Sequence, residues 1–199
     1  MLENSWEPDM KFVFLDIDGV LNSAVWLKQV NESTARQDRI KDMQNKFGNC
    51  IDPDVEYYAA DIDPEALKSL RRLWAYHSDT KIVISSSWRQ LMNFKTIKEI
   101  FKYLGWSDAP IIDSTPTLHR RDIDPEAQLP VLRGHEIKCW LETASLRFIA
   151  DKRTIQPTTF KYVIFDDDSD FLDGQPLIQT SWETGLKEEH VQRAIKMLT

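Results

Sequence analysis

Glycine is scarce in this sequence, with 6 in 199 residues, and cysteine scarcer still, with 2. Two distant cysteines, Cys50 and Cys139, build neither a disulfide framework nor a thiolate metal cluster, and they suit a reducing compartment. No apolar run approaches the roughly 20 residues that a membrane-spanning helix needs. Positive charge is also in deficit. Lys plus Arg number 25 against 32 Asp plus Glu, a net charge of −7, which argues against a broad nucleic-acid-coating or anionic-membrane surface. The polar, acidic opening residues are unlike a secretory or transit leader, so a cytoplasmic location is expected. His77, His119, His135 and His190 lack the paired spacing of a zinc site. There is no internal repeat and no low-complexity tract.

What is present is an ordinary globular balance, 42% hydrophobic and 29% charged, in a length that suits one domain. Four continuous apolar runs read as strands covered on both faces: Lys11-Phe-Val-Phe-Leu-Asp16, Lys81-Ile-Val-Ile-Ser85, Pro110-Ile-Ile-Asp113 and Lys161-Tyr-Val-Ile-Phe-Asp166. A weaker fifth is Leu177-Ile-Gln-Thr180. Between them lie helical stripes. Asp63-Pro64 is a helix start leading into Leu67, Leu70 and Trp74. Leu91, Phe94, Ile97, Phe101 and Leu104 predict one helix stopped by Gly105. Ile137, Trp140, Leu141 and Ala144 predict a third, and Val191, Ala194, Ile195 and Leu198 a fourth. This alternation predicts an α/β fold, a Rossmann-like three-layer α/β/α sandwich around a parallel sheet. Two stretches break the alternation: residues 22–62, read as a cap-like insertion with a helical segment near 34–46, and residues 114–132, read as a loop over the site. With so little glycine, Gly19, Gly134 and Gly185 are each expected to answer a backbone need.

Every clear strand ends in a polar, chemically useful residue. Asp16 and Asp18 stand at i and i+2, so an extended segment points both the same way, and Gly19 then allows a sharp turn. An Asp-x-Asp alone is weak and is often a solvated turn. The second strand runs into Ser85-Ser86-Ser87-Trp88-Arg89, whose hydroxyls and N–H groups suit a phosphate, although a serine helix cap is the commoner use. The fourth ends in Asp166-Asp167-Asp168, with Asp170 and Asp173 behind. Acids that close raise one another's pKa unless a cation sits among them. Hard oxygen ligands point to Mg²⁺ for Asp166 and Asp167; a solvated loop is preferred for Asp170 and Asp173. Arg133, before Gly134 at a helix start, can reach phosphate oxygens as a fork.

In this order the four elements resemble the haloacid dehalogenase-like phosphatase superfamily, matched from about Lys11 to the C-terminus apart from the two insertions. The resemblance implies Asp16 as nucleophile and Asp18 as general acid/base, with Ser85 and Arg133 on the phosphate. It also implies Mg²⁺ held by Asp16, Asp18, Asp166 and Asp167. Ile-Ser-Ser-Ser-Trp-Arg89, Arg133-Gly-His-Glu-Ile-Lys-Cys-Trp140 and Thr184-Gly-Leu look like a narrower branch, the phosphatase domain associated with RNA repair proteins. That branch is similar to the phosphatase half of polynucleotide kinase–phosphatases. The superfamily more often has Lys where Arg133 stands, which leaves Lys138 as a substitute cation.

The expected function is Mg²⁺-dependent phosphomonoester hydrolysis through an aspartyl-phosphate. A nucleotide or nucleic-acid terminal phosphate is the expected substrate, a 3′-phosphate first, and a small-metabolite phosphate the alternative. A carboxylate nucleophile divides a hard hydrolysis into two easier steps, and the leaving alkoxide needs a proton. Ser86 and Arg89, with Arg120 and Arg121 of the second insertion, are expected at the substrate. Trp88 and Trp26 are weighed as stacking faces for a base, with packing preferred. A topoisomerase-type Asp-x-Asp domain is disfavoured because no acidic strand end precedes Asp16. A non-catalytic phospho-receiver would place its acidic pair early rather than late.

Overall fold

The computed structural model describes residues 10–32, 34–50, 52–119, 132–152 and 160–199. Strand β1 (Met10–Leu15) is followed by α1 (Ala24–Asn31), α2 (Ala35–Phe47), α3 (Pro53–Asp61) and α4 (Pro64–Arg71), which runs into a 3₁₀ turn, Arg72–Ala75. Then come β2 (Lys81–Ile84), α5 (Trp88–Leu91), α6 (Phe94–Tyr103), β3 (Ile111–Ser114), α7 (Arg133–Lys152), β4 (Phe160–Asp166), β5 (Leu177–Gln179) and α8 (Glu188–Met197). The strands form one parallel sheet in the order β3-β2-β1-β4-β5. All five expected strands are found. Strand order reverses between β1 and β4, and in open α/β sheets ligands bind beyond the carboxyl ends of the strands at such a reversal.

Alternation along the strands assigns the two faces. Phe12, Phe14, Val83 and Ile164 meet Ile137, Trp140 and Ala144 of α7, with the Trp140 ring edge-on to Phe12 and Phe14 at 5.1 and 5.4 Å. Val13, Leu15, Ile82, Ile84, Val163 and Phe165 point the other way, into a larger core closed by the remaining helices. Burying these side chains is the main term holding helices on the sheet, about 1.5–3 kcal/mol for each large one. Where a helix end is well marked in the sequence, its cap is in place: Asp63 accepts the Glu65 N–H at 2.8 Å, with Pro64 at the first helical position.

One expectation is corrected and another extended. The single helix read from Leu91 to Leu104 is two, because Asn93 starts α6 by accepting the Thr96 N–H at 2.9 Å, and Leu91 is 69% exposed, off the buried stripe. In residues 22–62 the expected segment near 34–46 is α2, and two further helices, α1 and α3, flank it. Their buried Val30, Met43, Val55, Ala59 and Ala60 join the main core, so this insertion packs into the body of the domain. Asp52-Pro53 carries the same start signal as Asp63-Pro64: Asp52 accepts the Asp54 N–H at 3.0 Å. Of the loop 114–132, residues 120–131 lie outside the described residues, and Arg120 and Arg121 with them.

Candidate active site

Parallel pairing brings the ends of β1, β2 and β4 side by side. The Asp16 N–H donates to the Phe165 carbonyl at 3.0 Å and the Ser85 N–H to the Leu15 carbonyl at 2.9 Å, so both residues continue the ladders past the strand ends. Asp16 and Asp166 are buried, Asp166 completely. Arg133, first residue of α7, bridges them: its Nη1 donates to Asp16 Oδ2 and, at 2.5 Å, to Asp166 Oδ2. Asp167 completes the group, and one carboxylate oxygen from each of Asp16, Asp166 and Asp167 lies within 4.8 Å of the others. Burial and the neighbouring Asp16 charge push Asp166 up to about 8, although Arg133 and the Asp168 N–H pull it back. Burial and Asp16 raise Asp167 as well. Burial alone would lower Arg133, but Asp16 and Asp166 outweigh it and raise its pKa. Three clustered acids, two of them bridged by a single guanidinium, are short of positive charge. An oxygen-ligating divalent cation fits this donor set.

The loop after Asp16 is tight. The N–H groups of Val20, Leu21 and Asn22 all converge on the Ile17 carbonyl at 2.8–3.2 Å. Gly19 has φ +69, and a Cβ there would stand 2.2 Å from Asp167 Cγ, so glycine is needed both for the turn and for the room that Asp167 takes. Asp18, two residues beyond Asp16, is fixed from three sides. Trp88 Nε1 lies 3.1 Å from both its carboxylate oxygens, Asn22 Nδ2 donates at 2.9 Å, and Ser87 Oγ at 3.4 Å.

Three of the serine-loop readings are now separable. Ser85 Oγ is buried and has no hydrogen-bond partner among the described residues. Ser86 Oγ accepts the Trp88 N–H at 3.3 Å and so serves the start of α5. Arg89 lines the cleft beside Arg133, with its guanidinium engaged by the protein. Its side chain turns inward, Nη1 donating to the Ser85 and Ser86 carbonyls at 2.6 Å each and Nη2 pairing with Glu136, so it braces the serine loop from behind. Burial lowers its pKa, with Glu136 opposing and Arg133 adding to the drop. Trp88 is not a face for a base: its ring packs on Tyr58 at 5.1 Å between centroids and is 4% exposed. Trp26 is half-buried, with Nε1 donating to the Ala60 carbonyl at 3.3 Å.

Lys138 stands exposed on α7, its Nζ 4.0 Å from Glu142, while Arg133 makes the contacts to Asp16 and Asp166. Asp170 is more than a solvated acid. Its Oδ2 accepts the Arg133 N–H at 3.1 Å and its carbonyl the Gly134 N–H at 3.2 Å, which satisfies the free donors at the start of α7. Gly134 is needed for close approach, because a Cβ would meet Leu172 N at 2.5 Å and Gln175 Oε1 at 2.4 Å. Glu136 also accepts the Leu118 N–H at 3.0 Å, tying the loops after β2 and β3 to α7. Beside Arg133 opens a polar cleft of about 450 Å³, lined by Ser87, Gln90, Thr117, His119 and Asp170 among others. Sequence reasoning missed Asn22, Trp88 and Glu136 as supports of the site. Only Trp88 had a signal, its place beside the serines.

No curated protein and no solved structure matches the chain. A family model does, over residues 12–191, and its description is the HAD domain in Swiss Army Knife RNA repair proteins. The matched span runs from β1 into α8 and takes in each of the acids, the serine loop and Arg133. The chain belongs to this HAD family.

Proposed function

We propose that this domain is a Mg²⁺-dependent phosphomonoesterase that acts on a phosphorylated nucleic-acid end, a 3′-phosphate first. The observation that carries the reading is the convergence of Asp16, Asp166 and Asp167 on one point at the strand ends, bridged by Arg133. Family membership supports phosphatase chemistry, and the family's description supports a nucleic-acid substrate.

In this mechanism an Asp16 carboxylate oxygen attacks phosphorus and the bond to the leaving oxygen breaks, giving an Asp16-phosphate. Asp18 gives its proton to the leaving alkoxide, then takes one from the water that attacks the Asp16-phosphate, and inorganic phosphate is released. Trp88 and Asn22 hold the Asp18 carboxylate in position for both transfers. The Ser85 hydroxyl, without a partner among the described residues, donates to a phosphate oxygen, and Arg133 adds positive charge. Mg²⁺ would be held by Asp16, Asp166, Asp167 and the Asp18 carbonyl, and it supplies the charge that lets an anionic nucleophile meet an anionic phosphate. Arg89 is here a positioning residue.

The test is phosphate release from 3′- and 5′-phosphorylated oligonucleotides, nucleotides and sugar phosphates. Chelation should stop it and Mg²⁺ restore it, and Asp16→Asn should abolish it in a folded protein. Substantial turnover by Asp16→Asn refutes covalent catalysis. Faster turnover of sugar phosphates than of oligonucleotide ends removes the nucleic acid and leaves the phosphatase.

A further inference from the structure

A second cavity, of about 400 Å³, lies between α2 and α4, and the site described above does not use it. Its floor is apolar, with Met43, Ile62 and Leu67 buried beneath it. Its rim is basic: Arg39 and Lys46 from α2 face Lys68 and Arg71 from α4, with only Asp42 and Glu65 as acids, in a protein whose net charge is −7. Arg39, Met43 and Lys46 are spaced at i, i+4 and i+7, so α2 shows them on one face.

These cations are poorly partnered. Arg39 Nε is buried without a hydrogen bond, and no acid among the described residues pairs with Arg39 within 4.0 Å. Its guanidinium lies over the Trp26 ring at 5.4 Å. Burial lowers its pKa, and Asp42 and Asp63 only partly offset that, so this guanidinium carries a desolvation cost that an anion would relieve. Lys46 lies over the Phe47 ring at 4.9 Å, and Arg71 lies over the Trp106 ring at 5.5 Å with one long hydrogen bond, 3.4 Å, to the Gly105 carbonyl. Lys68 is matched by Glu65 at 3.1 Å, an exposed pair worth little.

One end of the cavity, at Pro64, approaches the loop after Asp16, and the other lies at Leu104 and Arg71. The Asp63 N–H donates to the Leu21 carbonyl at 2.8 Å, and Pro64, the next residue, lines the cavity. An apolar floor between separate guanidiniums matches a stretch of nucleotides: a planar base on the floor and phosphates along the rim, each within the grip of one guanidinium fork. Its volume is within the usual range for a small-ligand site.

We infer that the groove between α2 and α4 binds a stretch of single strand, its phosphates along the basic rim on Arg39 and Arg71, on the way to an end held at Asp16. The inference rests on the nucleic-acid reading of the active site, but its test reads binding without turnover, so loss of the phosphatase reading leaves the measurement intact. Fluorescence anisotropy on the full chain, with a five-nucleotide RNA lacking terminal phosphates, compares the wild type with Arg39→Ala/Arg71→Ala. Two lost charge-assisted contacts predict at least about tenfold weaker binding and a salt dependence shallower by about one to two phosphates. Asp42→Asn, which removes an acid from the rim, should tighten binding. Arg39→Lys/Arg71→Lys keeps the charge without the fork and should bind between the two, which separates lost recognition from lost folding. Turnover of a small phosphate ester should be unchanged in all three. Equal RNA affinity in the wild type and the double alanine variant overturns the site. Adenosine monophosphate binding as tightly as the RNA, and as sensitive to the same changes, overturns the strand in favour of a free nucleotide.

Discussion

Gly19→Ala adds one methyl group and removes no functional atom, yet it should damage the site in two separable ways. The first is backbone strain. At φ +69 an alanine costs about 1–2 kcal/mol that glycine does not, which in a domain of this size lowers Tm by about 2–8 °C. The second is displacement. The new Cβ would lie 2.2 Å from Asp167 Cγ and 2.5 and 2.6 Å from its oxygens, so the whole carboxyl group must move by about 1 Å to reach ordinary contact. The Asp167 backbone is tied, its carbonyl accepting from Gln179 Nε2 at 2.9 Å, so the carboxyl group is the part that must turn away. Moving one of three carboxylates off the cluster should raise the Mg²⁺ concentration needed for half-maximal phosphate release by at least about tenfold. Saturating Mg²⁺ should recover much of the rate. Thermal melts with and without Mg²⁺, together with a Mg²⁺ titration of turnover, separate the two effects. A variant with lowered Tm but an unchanged Mg²⁺ requirement would show that Asp167 plays no part in holding the ion.

Trp88→Phe keeps an aromatic ring against Tyr58 but loses the N–H that binds Asp18; turnover should fall about 10- to 100-fold with little change in KM, and an effect on KM for oligonucleotides alone would refute the positioning role. Glu136→Ala leaves the buried Arg89 guanidinium unpaired and frees the Leu118 N–H, so stability measured by urea unfolding should drop by about 3–5 kcal/mol; a loss under 1 kcal/mol would refute the bracing role. His190 accepts the Lys187 N–H through Nδ1 at 3.0 Å at the start of α8, and burial lowers its pKa, with Arg193 and Lys187 adding to the drop and Glu189 opposing it. A His depressed in the folded state contributes stability that is fully present above about 6.5, its unfolded value, and is lost as pH falls through the folded value. Melts at pH 7.5 and 5.5 should therefore show a smaller loss on acidification in His190→Gln than in the wild type; equal losses would refute the assignment.

The parts of the site legible in the sequence are those that the backbone places without help from distant side chains. A buried parallel strand is a run of apolar residues, and where the run ends, a polar residue emerges at the same edge of the sheet as its neighbours, so Asp16, Ser85 and Asp166 were readable as a group before any contact was known. Arg133 was readable for a related reason, its place at a helix start that faces that edge. Arg89 was not, because its direction depends on Glu136, 47 residues away, and an arginine beside a phosphate-binding loop has the same local pattern whether it points at the ligand or braces the loop. The three helices of residues 22–62 were partly hidden by shortness: α1 and α3 span 8 and 9 residues, too few for a period to stand out, although Asp52-Pro53 marks the start of α3. Asp170 was passed over because an acid in a loop is usually solvated, and only the fold brings it to the first N–H of α7, 37 residues earlier in the chain. The division follows from geometry. Strand ends define where charge collects, and long-range pairs such as Arg89 with Glu136 and Asp170 with Arg133 define how firmly it is held. A chain could therefore keep every motif residue and still lose a working site by losing one of those supports.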